Sequence, residues 1–496
     1  MEKHILAIDQ GTTSTRAIAF DLDFHPRASA QIELAQHFSQ PGWVEHDAEE
    51  IWRASLQVSR EVMDKIGGPA AIAAIGLTNQ RETTIIWDRK TGAPVHRAIV
   101  WQDRRTAELC ARLRAEGHET RVQGLTGLLL DPYFSATKIG WILDHAPGLR
   151  ARAEAGELAF GTVESFLLWR LTGGLVHASD ATNAARTLLL DIERQDWCEE
   201  LLALFGVPKA LLPAVVPCAG ALGETEPSLF GRAIPISGMA GDQQAALVGH
   251  GCLAPGMAKA TYGTGCFLVM NAGASPPHSK NRLLSTIGYR TDGETAYALE
   301  GSIFSAGATI QWLRDGLHLI DSSRQSEAMA AALKDNGGVY LVPAFVGLGA
   351  PQWSAEARGT ITGLTRDSTA AHLVRAGLEA VAYQTADLLQ ALAADGAPAL
   401  ERLLVDGGMT ANGWAMQFLA DICAVPVERP GFQEVTALGA AKLAALGAGL
   451  IPDLAVRDSA PRARWEPKMA GPQREMLKAG WAAAVAGTLT TAGSRS

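Results

Sequence analysis

The pattern of a strand, a turn containing Gly and Thr, and a second strand occurs twice in this sequence. This repeat limits the folds that the chain can adopt. The first copy spans residues 4–21, where two apolar runs rich in β-forming residues flank Gln10-Gly-Thr-Thr-Ser14. The second copy spans residues 258–270, around Gly263-Thr-Gly265. Only the pattern and a Gly-Thr pair recur, but runs joined by a few turn residues predict a β-hairpin in each case. A duplicated domain, with two related halves around a cleft, is the simplest interpretation.

The length of the chain also favours two domains. A single hydrophobic core stops growing at about 250–300 residues, whereas this chain has 496. A helix predicted to begin at Asp242 runs into residues 249–256, a cluster of Gly and Pro that neither a helix nor a strand would keep. We therefore predict one domain over residues 1–249 and a second over residues 250–451. A polar tail with several prolines follows over residues 452–496.

Strands and helices alternate along the chain, which predicts an α/β fold. Asp47 and Glu50 resemble a capping box, and apolar residues at helical spacing follow them. Further along, the sequence predicts strands over residues 71–77, 83–87 and 403–405 and helices near residues 103–115, 135–144 and 373–392.

Composition and charge exclude several classes of function. Apolar residues make up 47% of the sequence and charged residues 19%, which is typical of a globular protein. The net charge of -9 is spread without long runs of one sign, so we expect no nucleic-acid partner and no membrane insertion. No apolar stretch has the length of a signal peptide core or of a membrane span. Six cysteines with no Cys-x-x-Cys pair favour a reducing cytoplasm.

The turn of the first copy carries groups that suit a polyphosphate with a metal ion. Asp9, Gly11-Thr-Thr-Ser14 and Arg16 offer a carboxylate for magnesium, close backbone approach, hydroxyl donors and a cation. Gly, Thr and Ser are also common in ordinary hairpin turns, so this turn alone leaves both interpretations open. The second turn favours phosphate binding. No Gly-Lys dipeptide, complete G-x-G-x-x-G or protein-kinase motif is present, which disfavours the familiar nucleotide-binding folds.

Two polar segments are candidates for binding a small substrate. Arg81 and Glu82 follow a predicted buried strand and supply the donors and acceptors that adjacent hydroxyls need, although a solvated strand end would look similar. Asp242 follows two glycines at a predicted helix start, where an isolated aspartate more often caps the helix. Trp101 and Phe267, taken alone, are more typical of a hydrophobic core.

Seven motifs, in order, give the chain a specific resemblance. They are Ala7-Ile-Asp-Gln-Gly-Thr-Thr-Ser14, Thr78-Asn-Gln-Arg-Glu82, Ile99-Val-Trp-Gln102, Asp131-Pro-Tyr-Phe-Ser135, Gly241-Asp-Gln-Gln-Ala245, Thr261-Tyr-Gly-Thr-Gly-Cys-Phe267 and Asp406-Gly-Gly408. From about residue 4 to about residue 450 the chain resembles the FGGY carbohydrate kinases, and most closely their glycerol-phosphorylating members. This family belongs to the actin-like ATPase superfamily, so the resemblance implies two ribonuclease-H-like domains flanking a central cleft.

The resemblance implies roles for the residues at the matching positions. Glycerol would be held by Arg81, Glu82, Tyr133, Asp242 and Gln243, with Trp101 and Phe267 against its carbon edge. The phosphates would be held by Thr12, Thr13, Ser14 and Arg16, and the rest of ATP or ADP by Thr264, Gly307, Gln311, Gly408 and Asn412. Asp9 would serve Mg²⁺ through water, and Asp242 would be the catalytic base.

The implied reaction transfers the γ-phosphoryl group of ATP, with Mg²⁺, to glycerol. Its products would be sn-glycerol 3-phosphate and ADP, in the first step of glycerol catabolism. The resemblance also implies a cytoplasmic homodimer or homotetramer. Two alternatives stay open: another FGGY kinase acting on a pentulose or a larger polyol, and a non-catalytic actin-like module that binds nucleotide. Arg81 and Glu82 with Trp101 and Phe267 favour glycerol, and Asp242 argues against the module.

Residues 226–235 bear on regulation. This segment looks shorter than the loop that binds fructose 1,6-bisphosphate in some family members, and Arg232 is its one cation. It also contains no histidine for the phosphorylation that controls other members. We therefore expect neither mode of control in this chain.

Overall fold

Two mixed β-sheets with helices packed on them organise the chain, and the predicted α/β class is confirmed. The computed structural model describes residues 2–455 and 463–493. The strands up to residue 249 are β1 (His4–Gln10), β2 (Ser14–Phe20), β3 (Pro26–Glu33), β4 (Glu45–His46), β5 (Ile72–Asn79), β6 (Ile85–Asp88), β7 (Ala98–Ile99), β8 (Leu158–Gly161), β9 (Ala178–Asp180), β10 (Leu190–Asp191), β11 (Asp196–Trp197), β12 (Ala214–Val216), β13 (Ala219–Glu224) and β14 (Pro235–Gly241). The helices of this half are α1 (Ala48–Lys65), α2 (Ala107–Ala115), α3 (Glu119–Thr126), α4 (Ser135–His145), α5 (Leu149–Glu154), α6 (Val163–Leu171), α7 (Ala181–Ala184), α8 (Glu199–Phe205), α9 (Pro227–Phe230) and α10 (Asp242–Gly249).

The second half follows a similar plan. Its strands are β15 (Ala258–Tyr262), β16 (Cys266–Gly273), β17 (Leu284–Thr291), β18 (Glu294–Ile303), β19 (Tyr340–Val342), β20 (Thr360–Thr362), β21 (Leu403–Asp406), β22 (Val427–Arg429) and β23 (Ala463–Trp465). Its helices are α11 (Gly307–Asp315), α12 (Gln325–Ala331), α13 (Ala370–Ala394), α14 (Gly413–Cys423), α15 (Val435–Gly447) and α16 (Gly471–Gly493), and a short 3₁₀ turn covers Gly408–Ala411.

Both predicted hairpins are confirmed, and most other predicted elements form with shifted ends. Strand β1 pairs antiparallel with β2, and β15 pairs antiparallel with β16. The helix predicted after Asp47 is α1, which this residue caps by accepting a hydrogen bond from the backbone N of Glu49 at 2.9 Å. The helix predicted near residues 103–115 begins only at Ala107. The preceding residues stay in a loop because Asp103 accepts a hydrogen bond from the backbone N of Arg105 at 2.9 Å.

The first sheet brings three distant motifs to one edge. Its strand order is β13-β14-β5-β1-β2-β3, and β1, β5 and β14 run parallel. In register, Asp9 of β1 and Ala240 of β14 both pair with Thr78 of β5. Because the carboxyl ends of parallel strands meet at the same edge of a sheet, the turn after β1, the loop after β5 and the start of α10 lie together there.

The second sheet repeats this arrangement. Its order is β17-β18-β16-β15-β21-β22-β23, and β15 runs parallel to β21, with Thr261 paired with Asp406. The Gly263 turn and the Asp406-Gly-Gly408 segment therefore lie at the same edge. The duplicated plan predicted from the two turns is thus present in both sheets.

Helix α15 belongs to the second half of the chain but packs against the first sheet. Ala440 and Ala444 share an apolar cluster with Ile5 of β1. The backbones of α15 and α10 nearly touch: a Cβ at Gly439 would lie 1.7 Å from the backbone O of Ala245. The boundary predicted at residue 249 thus separates the strands of the two sheets along the chain. Helix α15 nevertheless packs across this boundary, against the first sheet.

The tail predicted over residues 452–496 packs on the second half wherever the structure describes it. Strand β23 pairs antiparallel with β22. Trp481 of α16 is buried, stacks on Tyr383 with ring centroids 5.4 Å apart, and donates from Nε1 to Asp387 at 2.8 Å. Only one stripe of α16 is buried, formed by Leu477, Trp481, Ala484, Val485 and Thr488. None of the helices within residues 2–455 and 463–493 has the length and apolarity needed to cross a membrane. Residues 456–462 and 494–496 of the tail lie outside the described residues.

Candidate active site

Two adjoining cavities lie where the turn-bearing edges of the sheets face each other. The charged cavity has a volume of about 440 Å³ and is lined by Thr12, Thr13, Gln36, Arg81, Glu82, Trp101, Gln102, Tyr133, Asp242, Gln243, Thr261, Gly263, Thr264, Gly265, Phe267 and Gln311. The glycine-lined cavity has a volume of about 500 Å³ and is lined by Tyr262, Gly263, Thr264, Gly307, Ile310, Gln311, Ser323, Arg324, Ser326, Glu327, Leu378, Gly408, Met409, Ala411 and Asn412. Both include Gly263, Thr264 and Gln311, so a molecule in one cavity can reach the other.

The sequence-predicted site residues fall into these two cavities with few exceptions. The side chains expected to contact glycerol, namely Arg81, Glu82, Trp101, Tyr133, Asp242, Gln243 and Phe267, all line the charged cavity together with Thr12 and Thr13. The residues expected to contact the nucleotide, namely Thr264, Gly307, Gln311, Gly408 and Asn412, all line the glycine-lined cavity. Their roles stay predictions, but the fold brings each set together.

Arg16, Ser14 and Asp9 are not among the residues that line either cavity in the described part of the chain. The Arg16 guanidinium forms an ion pair with Glu434, and its Nε donates to Gln31 at 2.9 Å. It is therefore directed toward the loop before α15. The predicted phosphate contacts of Ser14 and Arg16 stay predictions.

Arg81 and Glu82 occupy a sharp bend after β5. Both side chains are buried, and Glu82 has a positive φ of 60°, which a residue with a Cβ adopts at a cost. Ser135 stabilises the bend by donating its hydroxyl to the backbone O of Glu82 at 3.0 Å. Such strain at a cavity wall is typical of functional sites, since it holds side chains where a relaxed backbone would not.

A buried ion cluster surrounds Arg81. Its two Nη groups donate to the two carboxylate oxygens of Glu300, and its Nε lies 3.2 Å from Oδ1 of Asp242. Arg186 donates from Nε to Glu82 at 2.6 Å and from Nη2 to Glu300 at 3.0 Å. Two guanidinium groups and two carboxylates thus neutralise one another away from water, which is the condition for burying charges.

The ion cluster shifts the acidity of its carboxyls in opposite directions. Burial raises the pKa of Glu82, although Arg186 and Arg81 act against it. Burial would also raise the pKa of Glu300, but Arg186 and Arg81 outweigh burial and hold that pKa at about 2. Glu300 is therefore a permanent negative charge under the charged cavity.

Asp242 begins α10 and keeps part of its carboxylate accessible, with 29% of the side chain exposed. Gly241 occupies the N-cap position, so the helix-cap interpretation does not explain this aspartate. Its Oδ1 accepts a hydrogen bond from the backbone N of Gln243 at 2.7 Å. A carboxylate that is oriented by backbone and by Arg81, yet open to a cavity, can accept a proton from a bound hydroxyl.

Aromatic rings form an apolar wall of the charged cavity. The ring centroids of Trp101 and Phe267 are 5.9 Å apart, and those of Trp101 and Tyr133 are 5.6 Å apart. Trp101 also donates from Nε1 to the hydroxyl of Thr12 at 2.9 Å, which ties the wall to the turn after β1. The cavity is therefore amphipathic, with charged groups and apolar rings in one space of small volume.

Asp9 lies near the end of β1, close enough to Asp242 for the two carboxyls to influence each other. Burial and the Asp242 carboxylate raise the pKa of Asp9 to about 7, while Arg16 acts in the opposite direction. Two carboxyls that repel each other would be stabilised by a cation between them.

The glycine-lined cavity combines close backbone approach with apolar and polar side chains. At Gly307 a Cβ would lie 2.5 Å from the backbone O of Gly263, so only glycine allows α11 to begin against the turn. Ile310, Leu378 and Met409 supply apolar surface. Asn412 caps α14 by accepting from the backbone N of Ala415 at 2.9 Å. This mixture of apolar surface and few polar groups is typical of pockets for small molecules such as nucleosides.

Three charged residues that contact the site side chains escaped the sequence predictions: Arg186, Lys259 and Glu300. All three are buried. Lys259 donates from Nζ to the side-chain O of Gln243 and to the hydroxyl of Thr261, the latter at 2.9 Å. A charged residue within an otherwise apolar strand is a signal that could have identified Lys259 and Glu300, because buried charges are rare unless they are paired.

Comparisons with known proteins identify the family of the chain. A model of the FGGY family of carbohydrate kinases, N-terminal domain, matches residues 4–249, and the model of the C-terminal domain matches residues 258–448. Glycerol kinase from Rhodospirillum centenum is 60% identical over 485 residues, which cover 97% of each chain. Glycerol kinase 1 from Pseudomonas aeruginosa is 59% identical over 490 residues, covering 98% of this chain and 99% of the relative.

Solved structures show the same fold. Plasmodium falciparum glycerol kinase with ADP superposes with a TM-score of 0.91 at 36% identity and covers 98% of both chains. Gluconate kinase from Lactobacillus acidophilus superposes with a TM-score of 0.89 at 21% identity over the full length of both chains, which shows a shared fold alone. The resemblance read from the seven motifs is confirmed, and the chain belongs to the FGGY family of carbohydrate kinases.

Proposed function

We propose that this chain transfers the γ-phosphoryl group of ATP to a hydroxyl of glycerol, giving sn-glycerol 3-phosphate and ADP. The observation that carries the proposal is the amphipathic lining of the charged cavity beside the glycine-lined cavity. Arg81, Glu82 and Asp242 line it together with the rings of Trp101 and Phe267. The names of relatives that are about 60% identical over nearly the full chain support the same acceptor.

The apolar wall argues for a small polyol. Glycerol can direct its hydroxyls toward the charged groups and its C–H edge toward Trp101 and Phe267. A larger polyol would bring a hydroxyl against these rings, where an unsatisfied polar group costs roughly 1–3 kcal/mol. The wall therefore favours glycerol over a pentulose.

Asp242 is assigned the role of base. Its partly exposed carboxylate would accept the proton of the attacking hydroxyl while Arg81 and the backbone N of Gln243 keep it oriented. Arg81, Glu82, Tyr133 and Gln243 would hold the acceptor hydroxyls. Because phosphoryl transfer depends mainly on positioning and on neutralising charge, a rigid acceptor site next to the nucleotide suits the reaction.

The carboxyls of Asp9 and Asp242 suit Mg²⁺ brought in with ATP. In the described residues no cluster of three or more His, Cys, Asp or Glu side chains could form a complete metal site. Mg²⁺ commonly takes one or two carboxylates and completes its coordination with water and nucleotide phosphates. Asp9 would hold it through water, and Mg²⁺ would neutralise charge on the phosphates.

The nucleotide is assigned to the second half. Thr264, Gly307, Gln311, Gly408 and Asn412 would contact ATP in the glycine-lined cavity. The hydroxyls and backbone of Thr12, Thr13 and Ser14, with Arg16, would hold the phosphates from the first half. We assign residues 1–249 and 250–451 to two domains that carry these two functions, with the tail following at residue 452.

A cytoplasmic location fits the cysteines. All six are free thiols, and five of them are buried. Such thiols persist in a reducing compartment. We further assign a homodimer or a homotetramer on the basis of the family resemblance.

A substrate panel tests the proposal. Release of ADP is followed with glycerol, dihydroxyacetone and several pentuloses as acceptors, and kcat/KM is compared. We expect the highest kcat/KM with glycerol. A higher value with a pentulose would assign the chain to another FGGY activity, and ATP binding without ADP release for any acceptor would favour a non-catalytic nucleotide-binding module.

A further inference from the structure

We propose that Glu300 and Lys259, two buried charges of the second half, position the acceptor-binding side chains of the first half. The inference rests on the proposed function, since it concerns how the glycerol site is held. Glu300 lies on β18 and Lys259 on β15, and both side chains are fully buried. Neither would contact glycerol; each acts through a residue that does.

Glu300 holds the plane of the Arg81 guanidinium. Both of its oxygens accept hydrogen bonds from the two Nη groups of Arg81, a bidentate arrangement that fixes orientation as well as distance. Because both Nη groups of Arg81 face Glu300, its Nε faces Asp242 and lies 3.2 Å from Oδ1 of that residue. The orientation of Arg81 in the cavity thus depends on a carboxylate that lies 219 residues away in sequence.

The same carboxylate holds Glu82 through Arg186. Nη2 of Arg186 donates to Glu300 at 3.0 Å, and its Nε donates to Glu82 at 2.6 Å. Both acceptor-binding residues of the bend after β5 are therefore linked to Glu300. Arg186 and Arg81 lower the pKa of Glu300 against the effect of burial and so favour its charged form.

Lys259 sets the orientation of the Gln243 amide. Its ammonium group donates to Oε1 of Gln243, to the hydroxyl of Thr261 at 2.9 Å and to the backbone O of Phe267 at 3.4 Å. An ammonium group is only a donor, so the oxygen of the amide must be the end that faces Lys259. The NH₂ end of Gln243 is then left to donate to an acceptor hydroxyl. Lys259 also contacts the backbone of Phe267, a residue of the apolar wall.

A purely structural role predicts different behaviour. If the two charges only neutralised their partners, their removal would lower stability and affect both substrates alike. If they position acceptor ligands, their removal raises KM for glycerol and changes KM for ATP little, because Gly307, Gly408 and Asn412 of the expected nucleotide contacts line only the other cavity.

The first experiment uses Glu300→Gln in the full-length chain. Initial rates are measured with glycerol varied at saturating ATP, and with ATP varied at saturating glycerol. We expect KM for glycerol to rise about tenfold to a hundredfold, as for the loss of a charge-assisted hydrogen bond, and KM for ATP to stay within about twofold. Glu379→Gln is the matched control: Glu379 is another buried glutamate of the second half, and it accepts from Nε of Arg375 at 2.7 Å. Its replacement should leave both KM values unchanged.

The second experiment uses Lys259→Met, which keeps length and removes the donor. It should also raise KM for glycerol selectively, and calorimetric titration with glycerol should show the same loss of affinity. Equal increases in both KM values, or an unchanged KM for glycerol in either folded variant, would overturn the proposal. If both variants fail to fold while Glu379→Gln folds, Glu300 and Lys259 serve stability, and the positioning proposal is overturned as well. Failure of the wild-type chain to phosphorylate glycerol would instead refute the proposed function.

Discussion

Replacing Asp242 by Asn tests the assignment of the catalytic base. The substitution keeps the size of the side chain and its Oδ1, which accepts from the backbone N of Gln243 at 2.7 Å. It removes the negative charge 3.2 Å from Nε of Arg81 and with it the basicity that proton transfer requires. The change is therefore confined to the chemistry that the base would perform.

The expected magnitudes follow from the surroundings of Asp242. Its side chain is 29% exposed, and after the substitution the buried Arg81 keeps Glu300 as a bidentate partner, so no buried charge is left unpaired. Stability should therefore change little. A missing general base lowers kcat by roughly 100-fold to 10,000-fold, or about 2.7–5.5 kcal/mol in the activation free energy. Loss of turnover should thus far exceed loss of stability.

The assay combines kcat with ATP affinity and melting temperature. Asp47→Asn is the matched control, because Asp47 caps α1 through the backbone N of Glu49. Asn caps a helix about as well as Asp does, so this control should keep both its melting temperature and its kcat. Asp242→Asn should bind ATP normally and melt near the wild-type temperature, with little turnover. Near wild-type kcat in Asp242→Asn would refute the base assignment.

Three further results are expected. Fructose 1,6-bisphosphate should inhibit weakly or not at all, because Arg232 is the one cation of residues 226–235 and a bisphosphate needs several donors. Saturable inhibition at micromolar concentration that Arg232→Ala abolishes would contradict this. Gly439→Ala should lower the melting temperature, because the new Cβ would lie 1.7 Å from a backbone oxygen and such overpacking costs roughly 1–3 kcal/mol or more. Gly487→Ala is the control: this glycine lies on the exposed face of α16, and its replacement should stabilise the protein by about 0.5–1 kcal/mol. The pKa of Asp9 is raised from 3.8 to about 7. Between about pH 4 and pH 7 the folded, ligand-free chain therefore binds a proton at Asp9 that the unfolded chain has lost. The free energy of unfolding should fall as the pH rises through this range. Asp9→Asn should remove this loss, and equal slopes of melting temperature against pH in both proteins would show that Asp9 does not cause it.

Much of the local structure could be predicted from the sequence. The hairpins around Gln10–Ser14 and Gly263–Gly265 follow from apolar runs flanking turn residues, and both form. The order of the seven motifs identified the family, and the family pattern pointed to side chains that line the two cavities. These features depend on residues close together in the chain, or on positions that match a family pattern, and therefore do not require knowledge of distant contacts.

Arg16 and the tail show which contacts local patterns do not reveal. Arg16 follows the turn directly, yet its guanidinium pairs with Glu434, which only the packing of α15 on the first sheet brings near. The prolines of the tail and its end rich in Gly, Ser and Thr concealed α16, although 11 of the 23 residues of this helix are apolar. In both cases the deciding contact joins segments that are far apart in sequence.

Arg81 illustrates what the sequence by itself determined and what only the tertiary structure decided. Its position beside Glu82 after a buried strand made it a candidate ligand for hydroxyls. The sequence alone predicts that Arg81→Ala would raise KM for glycerol and little else. In the structure Arg81 also neutralises Glu300, so its truncation would leave a buried carboxylate with Arg186 alone and would cost stability too. Local sequence determines backbone conformation because turns and strands depend on neighbouring residues. The partners of a buried charge are decided only when the chain folds, because desolvation makes pairing obligatory and the pairing residues come from whichever strands meet there.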